Sequence, residues 1–322
     1  MSGTPDLDRA VMALQRGGLV AFPTETVYGL GADATDADAL TRLYAVKGRP
    51  ADHPVIVHLG VAAALDEWAV GVPAVARDLA EAFWPGPLTL VLAAAPVVSR
   101  VATGGLDTVG LRVPAHAVAL ELLDAFGGGI AAPSANRFGR VSPTTADAVR
   151  RDLGPDVDVV LDGGPCTVGV ESTIVDVSGP EPRILRLGGV AADAIAEVVG
   201  VAVPVGGTTR APGTLAAHYA PNARVVVVDE VVDLVAAVGA VDAGDSVGVL
   251  GLRDALAAVA LPDNVTTLSA PDSDEEYARV LYSSLREADD LGVDVVLAVL
   301  PGAAGLGAAV GDRLRRAAAA DR

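Results

Sequence analysis

Cysteine and lysine are nearly absent from this sequence. Its one cysteine, Cys166, excludes an internal disulfide and any metal site made of several cysteines. Lys47 is the only lysine among 23 basic residues, and all the others are arginines. Because arginine is used at every other basic position, we expect Lys47 to lie where a compact ammonium group is required.

Aromatic residues and long apolar runs are also scarce. Aromatics make up 3% of the chain, while hydrophobic residues make up 51% and charged residues 20%, so the cores must be built from Val, Leu, Ala and Ile. No apolar run reaches the length of a membrane span without Gly, Pro or a charge. The polar N-terminal stretch Met1–Asp6 does not have the pattern of a signal peptide, and we expect a cytoplasmic protein with no membrane partner.

Positive charge is in deficit as well. The net charge is −18, which argues against the coating of nucleic acid or anionic lipid as the main task of the chain. A small-molecule site in such a protein can still be locally basic.

The length and the order of the predicted elements indicate two α/β domains. At 322 residues the chain exceeds one typical core. Strands and helices of a mixed sheet come first, a stretch rich in Pro, Gly and Thr follows, and strands then alternate with helices as in a small parallel sheet. We predict a mixed-sheet α/β domain at 1–203, a linker at 204–222 and a Rossmann-like parallel-sheet domain at 223–322.

Two stretches near the N-terminus have the composition of ligand sites. Thr24–Gly31 follows a predicted strand with two hydroxyls, a carboxylate and a phenol, more polar side chains than a turn requires. The alternative is a Thr/Gly turn with surface hydroxyls. A helix predicted at 36–46 delivers Lys47 and Arg49, a point charge and a planar fork that together suit an anion. The alternative is a solvated helix end.

Further candidate residues lie in or after predicted strands. Arg112 stands inside the apolar strand 109–114, where a charge is costly unless it faces a cleft or a partner. It is a candidate ligand of carboxylate or phosphate, with a surface arginine on an edge strand as the alternative. The strand at 130–136 ends in small polar residues, which let a ligand approach closely. His53 and His58 flank another strand, and their spacing does not suit a metal site.

The C-terminal part contains weaker signals. His218 and Tyr219 are bulky residues for a plain spacer. Gly302, Gly305 and Gly307 follow a predicted strand and open a helix, but their spacing differs from the G-x-G-x-x-G of dinucleotide-binding loops. No Walker A loop is present, because Lys47 is the only lysine, so any ATP must be bound by other means.

Five segments together resemble the YrdC-like family, in the long two-domain form of the threonylcarbamoyl-AMP synthases. They are F-P-T-E-T-V-Y-G-L-G at 22–31, K-G-R-P at 47–50, H-P-V-I-V-H at 53–58, A-P-S-A-N at 132–136 and H-Y-A-P at 218–221. The resemblance extends over nearly the whole chain and implies a basic cleft in the first domain, with the linker as its lid.

The resemblance also implies a reaction and its partners. L-threonine, bicarbonate or CO2, and ATP are expected to give L-threonylcarbamoyl-AMP and diphosphate, with Mg2+ bound through the ATP phosphates and no protein nucleophile. The product is expected to pass to a tRNA threonylcarbamoyl transferase, which modifies the adenosine beside the anticodon of ANN-decoding tRNAs. Weak RNA binding is a further expectation.

Residue roles follow from the same resemblance. Lys47 and Arg49 are the expected catalytic residues and face the triphosphate. The expected L-threonine ligands are Thr26, His58, Arg112, the Ala132 backbone and Ser172. The expected ATP ligands are Lys47, Arg49, His53, Thr108, Ser134, Asn136, Ser142, Arg186 and Tyr219. This chain departs from the family at His53, where Asn is frequent, and in the linker, which reads A-P-G-T-L-A-A at 211–217 where basic and aromatic residues are common.

Two other functions are weighed against this interpretation. A carbamoyl-transferring domain of hydrogenase maturation would carry Cys-rich zinc modules, which a single cysteine excludes. A double-stranded-RNA-binding module without synthase activity is the main alternative. The net charge opposes it, whereas one local group of arginines favours it, namely Arg137, Arg140, Arg150 and Arg151.

Overall fold

The computed structural model describes residues 5–320, which form two compact units. Among the described residues the first unit comprises 5–138, Ser142–Thr167 and Glu171–Thr214, and the second comprises Gly139–Val141, Val168–Val170 and 215–320. The chain thus passes from one unit to the other inside the predicted linker, and the domain boundaries at 203 and 222 remain predictions. Residues 1–4 of the stretch that we compared with a signal peptide lie outside the described residues.

Within the described residues the first unit contains one mixed sheet of nine strands, as the sequence predicted in outline. The strands are β1 (Val20–Phe22), β2 (Gly29–Asp33), β3 (Ile56–His58), β4 (Leu88–Ala93), β5 (Thr108–Arg112), β6 (Ile130–Ala131), β7 (Val159–Val160), β8 (Thr173–Asp176) and β9 (Arg183–Arg186). Their spatial order is β7-β1-β2-β6-β3-β5-β4-β8-β9. The pairs β1–β7, β3–β5 and β4–β8 are parallel, and the others are antiparallel.

The helices of the first unit connect these strands. They are α1 (Pro5–Gln15), α2 (Ala37–Lys47), α3 (Leu65–Trp68), α4 (Ala74–Phe83), α5 (Ala117–Phe126), α6 (Ala146–Leu153) and α7 (Ala192–Val199), with 3₁₀ turns at Ala62–Ala64 and Gly154–Asp156. Helices α3 and α7 are additional to the predicted elements.

Helix α2 begins and ends one residue later than the predicted helix at 36–46. Asp36 is the N-cap, and its side chain accepts hydrogen bonds from the N–H groups of Asp38 and Ala39. Gly48 ends the helix in the left-handed region at φ 64, which glycine adopts readily. The helix therefore stops directly after Lys47.

Strand β2 was not predicted, because glycine disfavours strands. Its formation depends on close packing between neighbouring strands. A Cβ on Gly31 would lie 2.7 Å from Ile130 Cγ2, and one on Gly29 would lie 3.1 Å from Ala132 Cβ. Glycine is therefore needed where β2 passes between Phe22 and the β6 region, a requirement that local patterns do not reveal.

Different apolar clusters pack against the large sheet. The main hydrophobic core involves α2, α4 and α6, and it includes Leu40, Leu79 and Val149. A smaller apolar cluster contains Ile56, Val91, Ile174 and Leu185, with Ala211 of the linker packed against it. Because alternate residues of a strand share a face, His58 and Arg112 point to the same side as this smaller cluster. We call this side the ligand face.

The second unit contains a four-stranded parallel sheet within its described residues, as predicted. Its strands are β10 (Arg224–Val228), β11 (Val247–Leu250), β12 (Val265–Ser269) and β13 (Val295–Val299), in the spatial order β10-β13-β11-β12. Its helices are α8 (Leu234–Gly239), α9 (Arg253–Ala257), α10 (Asp274–Asp290) and α11 (Gly305–Ala318), with a 3₁₀ turn at Val231–Asp233. None of the helices in residues 5–320 is long and apolar enough to cross a bilayer.

Candidate active site

The loop between β1 and β2 is organised by the buried hydroxyl of Thr24. Its Oγ1 donates to Val27 O at 2.6 Å and accepts hydrogen bonds from the N–H groups of Thr26 and Val27 at 3.2 Å. Because the Thr24 proton points at Val27 O, the 2.8 Å contact between the two threonine hydroxyls is donated by Thr26. The loop is buried and internally bonded, unlike a surface turn with free hydroxyls.

Arg112, at the end of β5, is held in place by several groups. Its Nε donates to Gly86 O at 3.2 Å and its Nη1 donates to Thr26 Oγ1 at 3.0 Å. Its Nη2 lies 2.7 Å from Glu25 Oε1, in an ion pair whose side chains are 4% and 6% exposed. Glu25 Oε2 in turn accepts the N–H of Ala115 at 3.0 Å. The guanidinium is therefore fixed in position and its charge is compensated.

Three buried polar atoms around Arg112 have no hydrogen-bond partner among the described residues. They are Glu25 Oε1, Arg112 Nη2 and His58 Nδ1. Glu25 and Arg112 are in ionic contact, but their orientation does not satisfy hydrogen-bond geometry. The β3–β5 register places His58 opposite Arg112. The ion pair joins Glu25 Oε1 and Arg112 Nη2, so His58 Nδ1 is the buried atom of the three that lacks any partner among residues 5–320. Since buried polar groups are nearly always paired, this atom beside Arg112 indicates a polar ligand.

The imidazole of His58 is neutral at physiological pH. Burial, together with the charge of Arg112, lowers its pKa from 6.5 to about 3. Its ring makes an edge contact with Phe22, with centroids 5.9 Å apart. His58 can therefore exchange a hydrogen bond with a ligand, but it does not supply a positive charge.

The ammonium group of Lys47 is buried and joins α2 to the A-P-S-A-N segment. Its Nζ donates to Ser134 O at 2.6 Å and to Asn136 O at 2.5 Å. Burial, and then the nearby charge of Arg49, lower the pKa of Lys47 well below its usual value. Three residues that the resemblance assigns to ATP are thus brought together, although they come from distant parts of the chain.

Arg49 extends the same basic region. Its Nε donates to His53 O at 3.2 Å and its Nη2 donates to Pro54 O at 2.7 Å. Its guanidinium lies 5.7 Å from the ring centroid of Phe138, and the His53 ring lies 5.5 Å from the same ring. Lys47 and Arg49 therefore lie close enough for their positive charges to repel each other. A multiply charged anion would relieve this repulsion, so the region suits such a ligand.

Ser172 and Arg186 form a buried network beside β8 and β9. Ser172 Oγ lies 2.8 Å from Thr89 Oγ1. Arg186 Nη2 donates to Ser172 O at 2.8 Å and to Ser172 Oγ at 3.2 Å. One residue predicted for threonine and one predicted for ATP are therefore in direct contact.

The first unit holds three further residues that were predicted for the site. Ala132 follows β6, and its N–H donates to Ile56 O at 2.8 Å. Thr108 begins β5 and lines a cavity of the ligand face. Ser142 is buried, and its hydroxyl donates to Glu171 Oε1 at 2.8 Å.

The first half of the predicted linker lies on the ligand face. Thr209 Oγ1 donates to Asp176 Oδ2 at 2.6 Å, Arg210 Nη1 donates to Asp52 Oδ2 at 3.0 Å, and Pro212 O accepts a hydrogen bond from Arg186 Nη1 at 2.9 Å. Beneath this stretch is a cavity of about 10 Å³. Because a single water molecule needs about 10–15 Å³ measured in this way, this part of the face does not hold a nucleotide while the linker covers it.

Tyr219 belongs to the second unit, unlike the other residues predicted for ATP. Its side chain is buried, with its ring stacked on Tyr282 at 5.7 Å and 5.1 Å from the guanidinium carbon of Arg313. The ring of His218 lies 4.1 Å from that of Tyr219.

The glycine-rich loop at 302–307 has a packing role. A Cβ on Gly307 would lie 2.2 Å from Gly302 O and 2.5 Å from Asp274 Oδ2. The Asp274 carboxylate accepts a hydrogen bond from the Gly302 N–H, and its burial raises its pKa. A carboxylate therefore occupies the place that a phosphate would need, and the glycines allow α10 and α11 to approach closely.

Some residues of the candidate site were not singled out for it from the sequence. Glu25 is visible within the P-T-E-T motif, but no local pattern connects it to Arg112. Thr89 and Phe138 carry no signal at all, because their contacts with Ser172 and Arg49 depend on the order of the strands. Among residues 5–320, no group of three or more His, Cys, Asp or Glu residues could hold a metal ion.

Two family models match the chain. Residues 12–188 match the Sua5/YciO/YrdC model, described as telomere recombination, and residues 190–319 match the model of the C-terminal domain of threonylcarbamoyl-AMP synthase. The threonylcarbamoyl-AMP synthase of Pyrococcus abyssi is 44% identical, with 94% of this chain and 91% of the relative covered. That of Bacillus subtilis is 38% identical, with 98% and 93% covered.

Solved structures give the same result over both units. The crystal structure of P. abyssi Sua5 complexed with L-threonine has a TM-score of 0.89 at 42% identity and covers 98% of this chain and 94% of its own. A P. abyssi Sua5 variant in which an adjacent histidine and tyrosine are replaced by alanine has a TM-score of 0.88, also at 42% identity, with 98% and 93% covered. The chain therefore belongs to the Sua5/YrdC family of threonylcarbamoyl-AMP synthases, in its two-domain form.

Proposed function

We propose that this enzyme joins L-threonine, CO2 or bicarbonate, and ATP to give L-threonylcarbamoyl-AMP and diphosphate. The observation that carries the proposal is the buried guanidinium of Arg112, which Gly86 O and Thr26 Oγ1 hold beside the neutral imidazole of His58. A buried arginine of this kind suits the carboxylate of a small amino acid. L-threonine is the ligand named for the solved P. abyssi relative.

Each polar end of L-threonine has an assigned partner in this proposal. Arg112 binds the carboxylate, and Thr26 positions the guanidinium through its hydroxyl. Neutral His58, the Ala132 backbone and Ser172 contact the rest of the amino acid.

The ATP triphosphate is assigned to the basic end of α2. Lys47 and Arg49 bind the phosphates and stabilise the charge that develops on diphosphate. His53, Thr108, Ser134, Asn136, Ser142 and Arg186 are the other proposed ATP residues of the first unit. Binding of the phosphates favours the ammonium form of Lys47, because an opposite charge raises the pKa of a buried lysine.

The chemistry uses no protein nucleophile. The threonine amine adds to CO2 and loses a proton, which gives a carbamate. A carbamate oxygen then bonds to the α-phosphorus while the bond from that phosphorus to the diphosphate oxygen breaks. The protein contributes orientation, charge neutralisation and the exclusion of water.

Magnesium is proposed to arrive with ATP. The described residues offer no cluster of carboxylates or histidines for a resident ion, and Mg2+ is often held through substrate phosphates. When bound, it would neutralise phosphate charge beside Lys47 and Arg49.

The linker is the proposed lid of the cleft. Its hydrogen bonds to Asp52, Asp176 and Arg186 must break and form again as substrates enter. Tyr219 is a proposed contact to ATP, and the adjacent His–Tyr pair altered in the P. abyssi variant has the same composition as His218-Tyr219. A closed lid would protect the labile adenylate from water.

The product is proposed to pass in the cytoplasm to a transferase that modifies tRNA. RNA binding by this chain would be weak, because its candidate arginines are largely neutralised. Arg137 pairs with Asp156 at 2.6 Å, and Arg150 pairs with Asp147 at 2.7 Å. The RNA-binding module is therefore not favoured as the main function.

Diphosphate release from ATP tests the proposal. With Mg2+ and bicarbonate, release should require L-threonine, and Lys47→Ala should lower kcat/KM by about 10²–10³-fold through the loss of a charged transition-state contact. Arg42→Ala is a matched control on α2, because the Arg42 side chain is 43% exposed and its ion pair with Asp158 lies on the surface.

The outcomes separate the competing functions. Threonine-dependent release that is retained in Arg42→Ala and lost in folded Lys47→Ala supports the synthase and the role of Lys47. Release without L-threonine, or none at all, contradicts the synthase. An RNA affinity that falls steeply with salt concentration and does not change when L-threonine is added would instead favour the RNA-binding module.

A further inference from the structure

An open cleft lies on the first unit, at residues that have no role in the proposed synthase. Its volume is about 370 Å³, which falls within the range of about 300–1,000 Å³ that is usual for small-molecule sites. Helix α1 and the turn after it form one side, and α2 and the start of β7 form the other sides. The cleft is therefore large enough for a small organic molecule.

The walls of this cleft carry three arginines and one aspartate, although acidic residues outnumber basic ones by 41 to 23 in the whole chain. Arg9 and Arg16 come from α1 and its end, Arg42 comes from α2, and Asp158 directly precedes β7. Three separate parts of the chain thus give a local excess of positive charge. In a protein of net charge −18, such a concentration of arginines suits an anionic ligand.

The aspartate of the cleft is already engaged by one of the arginines. Asp158 Oδ2 lies 2.8 Å from Arg42 Nη1, and Asp158 Oδ1 accepts a hydrogen bond from Arg42 Nη2 at 3.2 Å. Asp158 Oδ2 also accepts the N–H of Leu19 at 2.7 Å. Arg42 and Asp158 therefore form a wall whose charges cancel, and the positive charge for a ligand comes from the other two arginines.

Arg9 and Arg16 line the cleft without a strong partner. The ion pair of Arg9 with Asp6 joins side chains that are 66% and 69% exposed, so water screens it and a ligand can replace it. The Arg16 side chain is exposed and makes no hydrogen bond or ion pair with any of residues 5–320. Its backbone is fixed, because its N–H donates to Ala13 O at 3.1 Å at the end of α1. Two guanidinium groups are thus available to a ligand.

The cleft also offers an apolar surface between these arginines. Arg9, Met12 and Arg16 are spaced three and four residues apart, so they share one face of α1 and of the turn that ends it. Met12 is 46% exposed, and a methionine side chain adapts to ligands of different shapes. A Cβ on Gly18 would lie 2.7 Å from a backbone oxygen of α1 and 3.1 Å from Asp158 Oδ2, so glycine lets the turn approach the opposite wall. An apolar side chain flanked by two arginines suits an organic anion.

We propose that this cleft binds a small phosphate monoester, with its phosphate on Arg9 and Arg16 and its organic part against Met12. Arginine can bind a phosphate through two parallel hydrogen bonds, and it keeps its charge at physiological pH. The described residues that line the cleft include none of those proposed for ATP or L-threonine. A polynucleotide is not the expected ligand, because it needs a longer basic track and the third arginine of the cleft is paired.

The methionines of this chain give a direct measurement of binding. There are two of them, Met1 and Met12, so labelling the methionine methyl groups with ¹³C gives two methyl resonances, and Met12→Leu identifies the one from the cleft. Adenosine 5′-monophosphate is the probe. It should move the Met12 resonance in a saturable way with a Kd of about 1 mM, as expected for a few exposed charge-assisted contacts. Adenosine, which lacks the phosphate, should leave the resonance unchanged at the same concentrations.

Arginine variants test which residues bind the phosphate. Arg16→Gln and Arg9→Gln keep a polar side chain and remove the charge, and each should raise the Kd about tenfold. The matched control is Arg77→Gln, because Arg77 is an ion-paired arginine on α4 whose side chain is 50% exposed, and it should leave the Kd unchanged. Lys47→Ala, which weakens the proposed ATP site, should also leave this titration unchanged. The result therefore does not depend on whether the chain has synthase activity.

The opposite results would overturn the inference. They are a Met12 resonance that does not respond to adenosine 5′-monophosphate, a response that adenosine reproduces, and a Kd that neither Arg16→Gln nor Arg9→Gln changes. A titration that is lost in Lys47→Ala but kept in Arg16→Gln would assign the signal to the ATP site. An RNA oligonucleotide that moves the resonance at far lower concentrations than the mononucleotide would identify RNA as the ligand instead. Thermal unfolding midpoints establish that all the variants are folded.

Discussion

At the scale of single residues, burial decides which side chains carry charge in the candidate site. Arg112 forms a buried ion pair with Glu25 at 2.7 Å. His58, directly opposite in the sheet, is neutral because burial and that same arginine both disfavour its charged form. The proposed threonine site therefore combines an ion-paired arginine with a neutral imidazole.

The neutral state of His58 predicts a specific acid sensitivity. Its pKa is about 3 in the folded protein and 6.5 in an unfolded chain. Between these values the unfolded chain binds a proton that the folded protein does not. Stability is therefore fully present above pH 6.5 and is lost as the pH falls towards 3, by up to about 1.4 kcal/mol per pH unit.

His58→Gln removes this titration. Urea unfolding of both proteins at several pH values between about 5 and 7.5 should give a shallower dependence of the free energy of unfolding on pH in the variant. Other titrating groups contribute to both proteins, so the difference between the two slopes isolates His58. Identical slopes would contradict the buried, neutral state.

At the scale of elements, β5 has a proposed site residue at each end and a glycine, which has no side chain, between them. Thr108 and Arg112 flank Gly110 on the ligand face, and Gly110 lines the cavity under the linker. A Cβ on Gly110 would lie 3.3 Å from Thr89 Cγ2 and 3.5 Å from Ile56 Cγ1, so a small side chain can be accommodated with slight movement. Glycine keeps the floor of the cavity open.

Gly110→Val should therefore reduce activity more than stability. Valine is favourable in a strand, but its methyl groups would fill the cavity beside Thr108. We expect kcat/KM for ATP to fall about tenfold or more while the unfolding midpoint stays near that of the unaltered protein. Gly110→Ala, the smaller change, should be intermediate. Full activity in a folded Gly110→Val protein would show that ATP does not use this part of the face.

At the scale of the whole molecule, negative charge exceeds positive charge by a wide margin. The chain has 41 acidic and 23 basic residues. Many of the arginines form exposed ion pairs, such as Arg77–Asp66 and Arg100–Asp107, and solvent-screened pairs of this kind contribute little to stability. The remaining acids repel one another in the folded state.

Salt should accordingly stabilise the protein. Raising NaCl from about 0.02 M to 0.3 M shortens the Debye length to roughly 6 Å, which screens the repulsion more than it weakens the few favourable surface pairs. The midpoint of thermal unfolding should rise, and KCl should act like NaCl if screening is the cause. A falling midpoint would mean that the surface ion pairs outweigh the repulsion.

Much of the fold was predictable because most elements have strong local signals. Helix α2 lies within one residue of its predicted bounds, and the second unit has the predicted parallel sheet. Strand β2 was not predictable, because glycines placed for close packing resemble a loop. Helix α3 is a single turn and carries too few residues for a helical period.

The sequence by itself determined the two α/β folds, the family, and the motifs that supply Lys47, Arg49, Arg112, Ser134 and Asn136, because residue type and short spacing are local properties. Only the tertiary structure decided which of these residues meet. The pairing of Glu25 with Arg112, and the contact of Tyr219 with Arg313, join residues far apart in the chain. Such pairs depend on strand order and helix packing, which arise from the burial of whole faces rather than from any one stretch of sequence.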